Sequence, residues 1–80
     1  MIVISPSDMS YWEVRAYIES IGGGYALRHD DPLWLTFADG RYWTSSRVAC
    51  NSQVAVVIEG GVKTALRWDR SFKAKAVVKQ

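Results

Sequence analysis

Cysteine and histidine occur once each in this chain, as Cys50 and His29. A single cysteine excludes an intrachain disulfide. One His and one Cys, even with Asp30 and Asp31 beside the imidazole, do not make zinc or calcium ligand spacing, so neither a metal nor another cofactor is expected. Long apolar runs are also missing. The longest aliphatic run, Val54 to Ile58, falls far short of the roughly 20 residues that a membrane helix needs. Met1-Ile2-Val3-Ile4 is too short, and lacks the basic flank, to be a signal peptide. The expected setting is the cytoplasm, with no membrane partner. Gly22-Gly23-Gly24 ends a helical pattern rather than opening one, so it supplies no phosphate cradle backed by a helix N-terminus.

What is present is the material for one small core. The chain has 80 residues, 49% of them hydrophobic, with four tryptophans. That composition argues against disorder and for a single domain over 1–80. A domain of this size buries only roughly 60–65% of its unfolded surface, which leaves little stability to spend on a catalytic cleft. Net charge is only +2, but it is segregated. Residues 1–40 set Arg15 and Arg28 against Asp8, Glu13, Glu19, Asp30, Asp31 and Asp39, a net of −4. Residues 41–80 set Arg41, Arg47, Lys63, Arg67, Arg70, Lys73, Lys75 and Lys79 against Glu59 and Asp69, a net of +6. A chain so divided suits a charged partner, although solvated charges in a short sequence also segregate by chance.

The order of elements follows from periodicity and punctuation. Ile2-Val3-Ile4 reads as a short strand. Ser5-Pro6-Ser7-Asp8 resembles a helix start, with a serine cap and proline at the first helical position, and the helix is expected from Pro6 or Asp8 to Ile21. At 100° per residue, Tyr11, Val14, Tyr17, Ile18 and Ile21 share a stripe that should lie on a sheet, while Trp12 falls outside it. Tyr25-Ala26-Leu27-Arg28 reads as a strand running into a loop that Pro32 closes.

Two hairpins are expected next. Leu33 to Thr44 flanks Asp39-Gly40 with β-branched and aromatic residues. A two-residue turn there puts Trp43 with Trp34, Thr36 and Arg41; a three-residue Ala38-Asp39-Gly40 loop puts it with Leu33, Leu35 and Phe37. Residues 45–52 fit either a continuing strand or a crossing connection. Gln53 to Asp69 forms the second hairpin around Glu59-Gly60-Gly61. A three-residue loop is expected, because it gathers Val54, Val56, Ile58, Val62, Leu66 and Trp68 on one face and leaves Lys63 and Arg67 on the other. After a turn at Asp69-Arg70-Ser71, the last strand alternates Phe72, Ala74, Ala76 and Val78 inward with Lys73, Lys75, Val77 and Lys79 outward. The sum is an α+β fold: one N-terminal helix packed on a mainly antiparallel sheet of about five or six strands.

Three groups of residues carry chemistry. If the last strand pairs with its predecessor, Lys63, Arg67, Lys73, Lys75 and Lys79, with Arg70 at the turn, form a basic sheet face suited to a phosphate backbone. Lysines on an edge strand also serve simply against aggregation. On the acidic side, Asp30 and Asp31 with Trp12, Trp34 and Arg41 make a candidate protein-docking surface with a tryptophan anchor. Cys50 and His29, with Asp30, Asp31 or Asn51 to orient the base, have the residue types of a nucleophilic pair. No local signature supports them, and a small strand cysteine is the plainer reading, so no enzyme is expected.

A compact α+β chain, with charge divided between Asp30-Asp31 and Lys73-Ala74-Lys75, resembles in type the small inhibitors carried by phages and mobile elements, of the anti-CRISPR kind. Those proteins share no motif, so no site residue carries over. The resemblance implies a non-enzymatic protein, monomer or homodimer, that blocks a larger protein or nucleoprotein machine by occupying a surface, in host cytoplasm if phage-encoded. The alternative is a small nucleic-acid-binding module working through the basic face.

Overall fold

The computed structural model describes residues 1–49, 52–69 and 71–80. Its elements are β1 (Ile2–Ile4), β2 (Met9–Ser10), α1 (Tyr11–Ser20), β3 (Tyr25–Ala26), a 3-10 helix (Pro32–Thr36), β4 (Gly40–Ala49), β5 (Ser52–Glu59), β6 (Val62–Asp69), β7 (Lys73–Ala74) and β8 (Val77–Lys79). The α+β class with one helix and antiparallel pairing is as expected. The single large sheet is not. The strands form three small sheets, β1-β8-β3, β2-β7 and β4-β5-β6. Backbone bonds stitch them together. Trp43 N–H donates to the Lys75 carbonyl and Lys75 N–H to that of Arg41, each at 2.9 Å, while Ser45 N–H donates to the Leu27 carbonyl at 2.7 Å.

The helix begins later than Ser5-Pro6 suggests, and two strands precede it. Ser10 is its N-cap, and the Glu13 carboxylate accepts from the Ser10 amide at 3.2 Å and from its hydroxyl at 3.0 Å. Ser10-x-x-Glu13 is the better start signal, since it satisfies the cap from both sides. Ser5 has other work: it is buried, its amide donates to the Ala76 carbonyl, and its hydroxyl oxygen accepts from Ala76 N–H at 2.9 Å. The expected stripe does face inward. Val14 is buried, and Tyr11, Tyr17 and Ile18 pack around it. Gly23 N–H closes the helix end on the Ile18 carbonyl.

The Leu33–Thr44 hairpin is replaced by a 3-10 turn and a single strand. Asp31-Pro32 dictates this: the Asp31 carboxylate accepts from Leu33 N–H at 2.9 Å, and proline occupies the first helical turn, where no donor is needed. Trp34 is thereby rolled inward, 1% exposed, with its indole N–H donating to the Arg28 carbonyl at 2.6 Å. Asp39 does not form a hairpin turn either. Its carboxylate accepts from Gly60 and Gly61 N–H at 2.9 and 3.3 Å, clasping the tip of the other hairpin.

The Gln53–Asp69 hairpin exists, but with a two-residue turn. Glu59 faces Val62 directly, and Gly60 and Gly61 take φ of +59° and +79°. Two consecutive positive φ values define the hairpin turn whose twist matches the strands. The register therefore puts Lys63, Ala65 and Arg67 on the face of Val54, Val56 and Ile58. The valines stay dry because β5 is the central strand and the 3-10 helix covers that face.

Alternation along β4 sends Tyr42 and Trp43 to opposite faces, so neither expected grouping of Trp43 holds. Tyr42 joins Leu27, Trp34, Val56, Ile58 and Val77 in one core, with Leu33 and Phe37 at its margin. Trp43, fully buried, joins Val14, Ala55, Ala74 and Ala76 in the other, edge-on to Tyr11 and Phe72. β4 continues through 45–49, with shifts in its pairing to β5 after Trp43. The C-terminal strand is broken in two. β7 pairs with β2, and β8 inserts between β1 and β3, which buries both Val77 and Val78 instead of turning Val77 outward.

Candidate functional site

Most carboxylates are committed to structure. Asp8 pairs with Arg41 at 3.0 Å and Asp30 with Arg28 at 3.3 Å, the two ion pairs among the described residues. Glu13 caps α1, Asp31 the 3-10 helix, Asp39 the β5–β6 turn, and Asp69 accepts from the Ser71 amide and hydroxyl. The bonds from the Ser10 amide and hydroxyl hold the Glu13 carboxyl below its usual range, and those from Ser71 do the same for Asp69. Burial pulls Asp30 upward, but its own backbone amide and Arg28 together outweigh that and lower it. Asp30 and Asp31 thus hold the loop before the 3-10 helix. Trp34, the anchor expected beside them, is in the core, because the 3-10 turn points its ring inward. Arg41, besides its tie to Asp8, lies over the Phe72 ring at 5.2 Å. The expected docking surface of Trp12, Asp30, Asp31, Trp34 and Arg41 does not come together.

Nor does the expected basic face. β8 pairs with β1 and β3 rather than β6, so Lys79 sits opposite Ile2 and Tyr25, Lys73 opposite Ser10, and half-buried Lys75 against β4. Only Lys63 and Arg67 share a strand face, and the Lys63 ammonium reaches the His29 carbonyl at 3.3 Å. Arg70 and Cys50 lie outside the described residues, so the Cys50–His29 pairing is not described. The described partner of the imidazole is Ser46.

Instead, the arginines converge. Thr44 Oγ1 donates to the Val54 carbonyl at 2.6 Å and accepts from Ser46 N–H at 3.1 Å, while Ser45 N–H is pinned to Leu27. These bonds shape the irregular half of β4 and carry Ser45, Ser46 and Arg47 between α1 and the 28–29 loop. The Ser46 hydroxyl oxygen accepts from His29 N–H at 3.1 Å and lies 2.6 Å from Nδ1, to which it can donate. On one side of Ser45 and Arg47 is a depression of about 460 Å³ lined also by Arg28, His29, Ser46 and Arg67. On the other is a depression of about 420 Å³ lined also by Tyr11, Trp12, Arg15 and Ile18. Ser45 and Arg47 border both, but the first, an arginine groove of Arg28, Arg47 and Arg67, lies on the face of Val54 and Val56, and the second, with Arg15, lies on the face that α1 covers. No carboxylate lines either of these two, whereas a third depression that shares Arg28 and Ser45 with the first is lined by Asp30 and Asp31. Arg15, Arg47 and Arg67 have no ion-pair partner among the described residues. Trp12, 66% exposed, stands on the wall of the second depression.

Arg15, Arg28, Arg47, Ser45 and Ser46 were not legible as a site, because they come from three separate segments and their proximity depends on the β4 irregularity. The one available signal was Ser45-Ser46-Arg47, a polar run inside an otherwise aromatic and aliphatic strand pair. Chemically the groove is a polyvalent donor surface. Guanidinium groups are permanently charged and hold phosphate or carboxylate oxygens through paired N–H donors, which an ammonium cannot do. Among the described residues no three His, Cys, Asp or Glu side chains cluster as metal ligands, and no helix is long and apolar enough to cross a membrane. No protein-family model, curated protein or solved structure is similar to this chain.

Proposed function

We propose that the chain is a non-enzymatic binding protein whose groove takes single-stranded nucleic acid. The observation that carries this reading is Arg28, Arg47 and Arg67 along a groove that no carboxylate lines, with Arg15 and the exposed Trp12 on the other side of Arg47. A charged track combined with an aromatic platform is the usual means of holding a single strand, phosphates on the guanidiniums and a base on the ring. The acidic residues, which would have served a nucleic-acid mimic, are mostly engaged as caps and ion pairs. This favours an anionic partner over a basic one.

The test is fluorescence anisotropy with labelled single-stranded DNA and RNA, and duplexes of the same sequence, across a salt series. Three phosphate contacts, from Arg15, Arg47 and Arg67, give a plot of log K against log salt with a slope of about −2, since each contact on a single strand contributes about −0.7. The double variant Arg47→Ala/Arg67→Ala should lower the magnitude of that slope by about 1.4. Trp12→Ala should weaken binding by about 1–3 kcal/mol. Absence of binding at low salt, or a slope unchanged in the double variant, would rule the reading out.

The role as an inhibitor of a larger machine is a second reading, favoured by one observation: exposed tryptophan beside a groove is also the usual anchor of a protein interface. Under it, binding to the partner protein would depend on Trp12 and respond weakly to salt.

A further inference from the structure

The described strands leave one long edge uncovered. On the far side of the β4-β5-β6 sheet, β4 is joined to Lys75 and Leu27. On the near side β6 has no strand against its outer edge among the described residues, and all of it but Lys63 and Trp68 is exposed. One face of this edge is apolar. Val62 is 65% and Leu66 41% exposed, and with Val57, Glu59 and Thr64 they line a shallow depression of about 280 Å³. We infer that this edge pairs with the β6 edge of a second copy, antiparallel, about a two-fold axis at Leu66. This edge shares Ala65, Leu66 and Arg67 with the lining of the arginine groove, and its tests read mass and crosslinking rather than nucleic-acid binding.

The register follows from the turn. Glu59 and Val62 close a two-residue hairpin, so they exchange backbone hydrogen bonds, and every second pair along the ladder does the same. Val62, Thr64, Leu66 and Trp68 therefore spend their backbone groups on β5. Lys63, Ala65, Arg67 and Asp69 present theirs outward. A second β6 must match outward groups to outward groups, which limits the two-fold axis to a single residue rather than the gap between two. An axis at Ala65 sets Lys63 opposite the Arg67 of the second copy, and an axis at Arg67 sets two guanidiniums face to face; both oppose like charges. An axis at Leu66 sets Lys63 opposite Asp69 and Arg67 opposite Ala65, twice over by symmetry. It also places Leu66 against its own mate in a non-hydrogen-bonded pair, where side chains approach most closely. On the same face, Thr64 then lies opposite Trp68 of the second copy, on either side of the Leu66 pair. Axes at Thr64 or Trp68 oppose no like charges but pair fewer residues of β6, so the axis at Leu66 gives the longest ladder, over 63–69, and a self-complementary strand is what a closed dimer requires.

Sedimentation equilibrium of the unmodified protein is the first test. A mass of twice 9.0 kDa that dissociates on dilution is expected; a mass of 9.0 kDa up to millimolar concentration overturns the proposal. The register is tested by oxidation in a Cys50→Ser background. Leu66→Cys should crosslink nearly completely, whereas Ala65→Cys and Arg67→Cys should not, because neither faces its own mate. Dimers in which 65 or 67 crosslinks faster than 66 contradict the two-fold at Leu66. Leu66→Lys, a solvated substitution on the exposed face, should leave the circular dichroism spectrum intact and raise the dimer dissociation constant at least about tenfold. A dissociation constant unchanged in a folded Leu66→Lys variant moves the interface elsewhere.

Discussion

Trp34 and Trp12 show how local chemistry decides which aromatic residue is available to a partner. Each closely follows a helix cap, Ser10 before Trp12 and Asp31 before Trp34, yet Trp34 is inside and Trp12 outside. Trp34 is inside because Asp31 and Pro32 start a tight turn that aims it at Leu27, Tyr42 and Val77, and because its N–H finds the Arg28 carbonyl. Trp34→Ala should cost about 3–5 kcal/mol, enough to unfold much of an 80-residue domain. Trp34→Phe should cost about 1–3 kcal/mol by leaving that carbonyl unpaired. Urea denaturation of the two variants measures both. The carboxylates carry a pH dependence. Glu13 and Asp69 are held below their ordinary range, so their contribution is present above the unfolded carboxylate range and is lost as pH falls through their folded values. Stability should therefore decline below about pH 4, and less steeply in Glu13→Gln and Asp69→Asn. Burial raises the Tyr42 phenol above 10.0, and Asp39 adds to this, so its contribution is lost as pH rises through that raised value. Denaturation midpoints from acid to strongly alkaline pH check both limbs.

At the scale of elements, the helix and the β5–β6 hairpin were legible, and the first hairpin was not. The stripe from Tyr11 to Ile18 follows from periodicity alone, and the packing bears it out. The Asp39-Gly40 pair looked like a turn because aspartate and glycine both tolerate one. The competing signal, Asp31-Pro32 as cap and first residue of a turn, was stronger because it satisfies a backbone donor as well as fixing a dihedral angle. In the second hairpin the hydrophobic pattern argued for a three-residue loop, but paired glycines impose a two-residue turn at no steric cost, and the half-buried Lys63 adapts by reaching the His29 carbonyl. Gly61→Ala should therefore cost about 1–2 kcal/mol, since a side chain at φ +79° is strained. Asp39→Ala should cost about 1 kcal/mol through the loss of its bonds to the turn amides. Thermal unfolding of the two variants against the parent measures each.

At the scale of the whole molecule, segregation of charge along the sequence did not become segregation in space. The lysines of the second half separate because β8 threads between β1 and β3, a long-range pairing that no local pattern encodes. Arginines from both halves meet instead, because irregular β4 sits between α1 and the 28–29 loop. Most acids of the first half are engaged in caps and ion pairs. What remains is a molecule with an arginine groove and a long open edge on β6, and the central claim is that the groove, not the lysine-bearing strands, contacts the partner.

The most direct measurement is an amide and indole nuclear magnetic resonance titration of the labelled protein with a short single-stranded oligonucleotide. The account predicts that the Trp12 indole and the amides of Arg15, His29, Ser45, Ser46 and Arg47 shift together, with those of Lys73 and Lys79 unmoved. Shifts confined to Lys73, Lys75 and Lys79, or none at low salt, would contradict it.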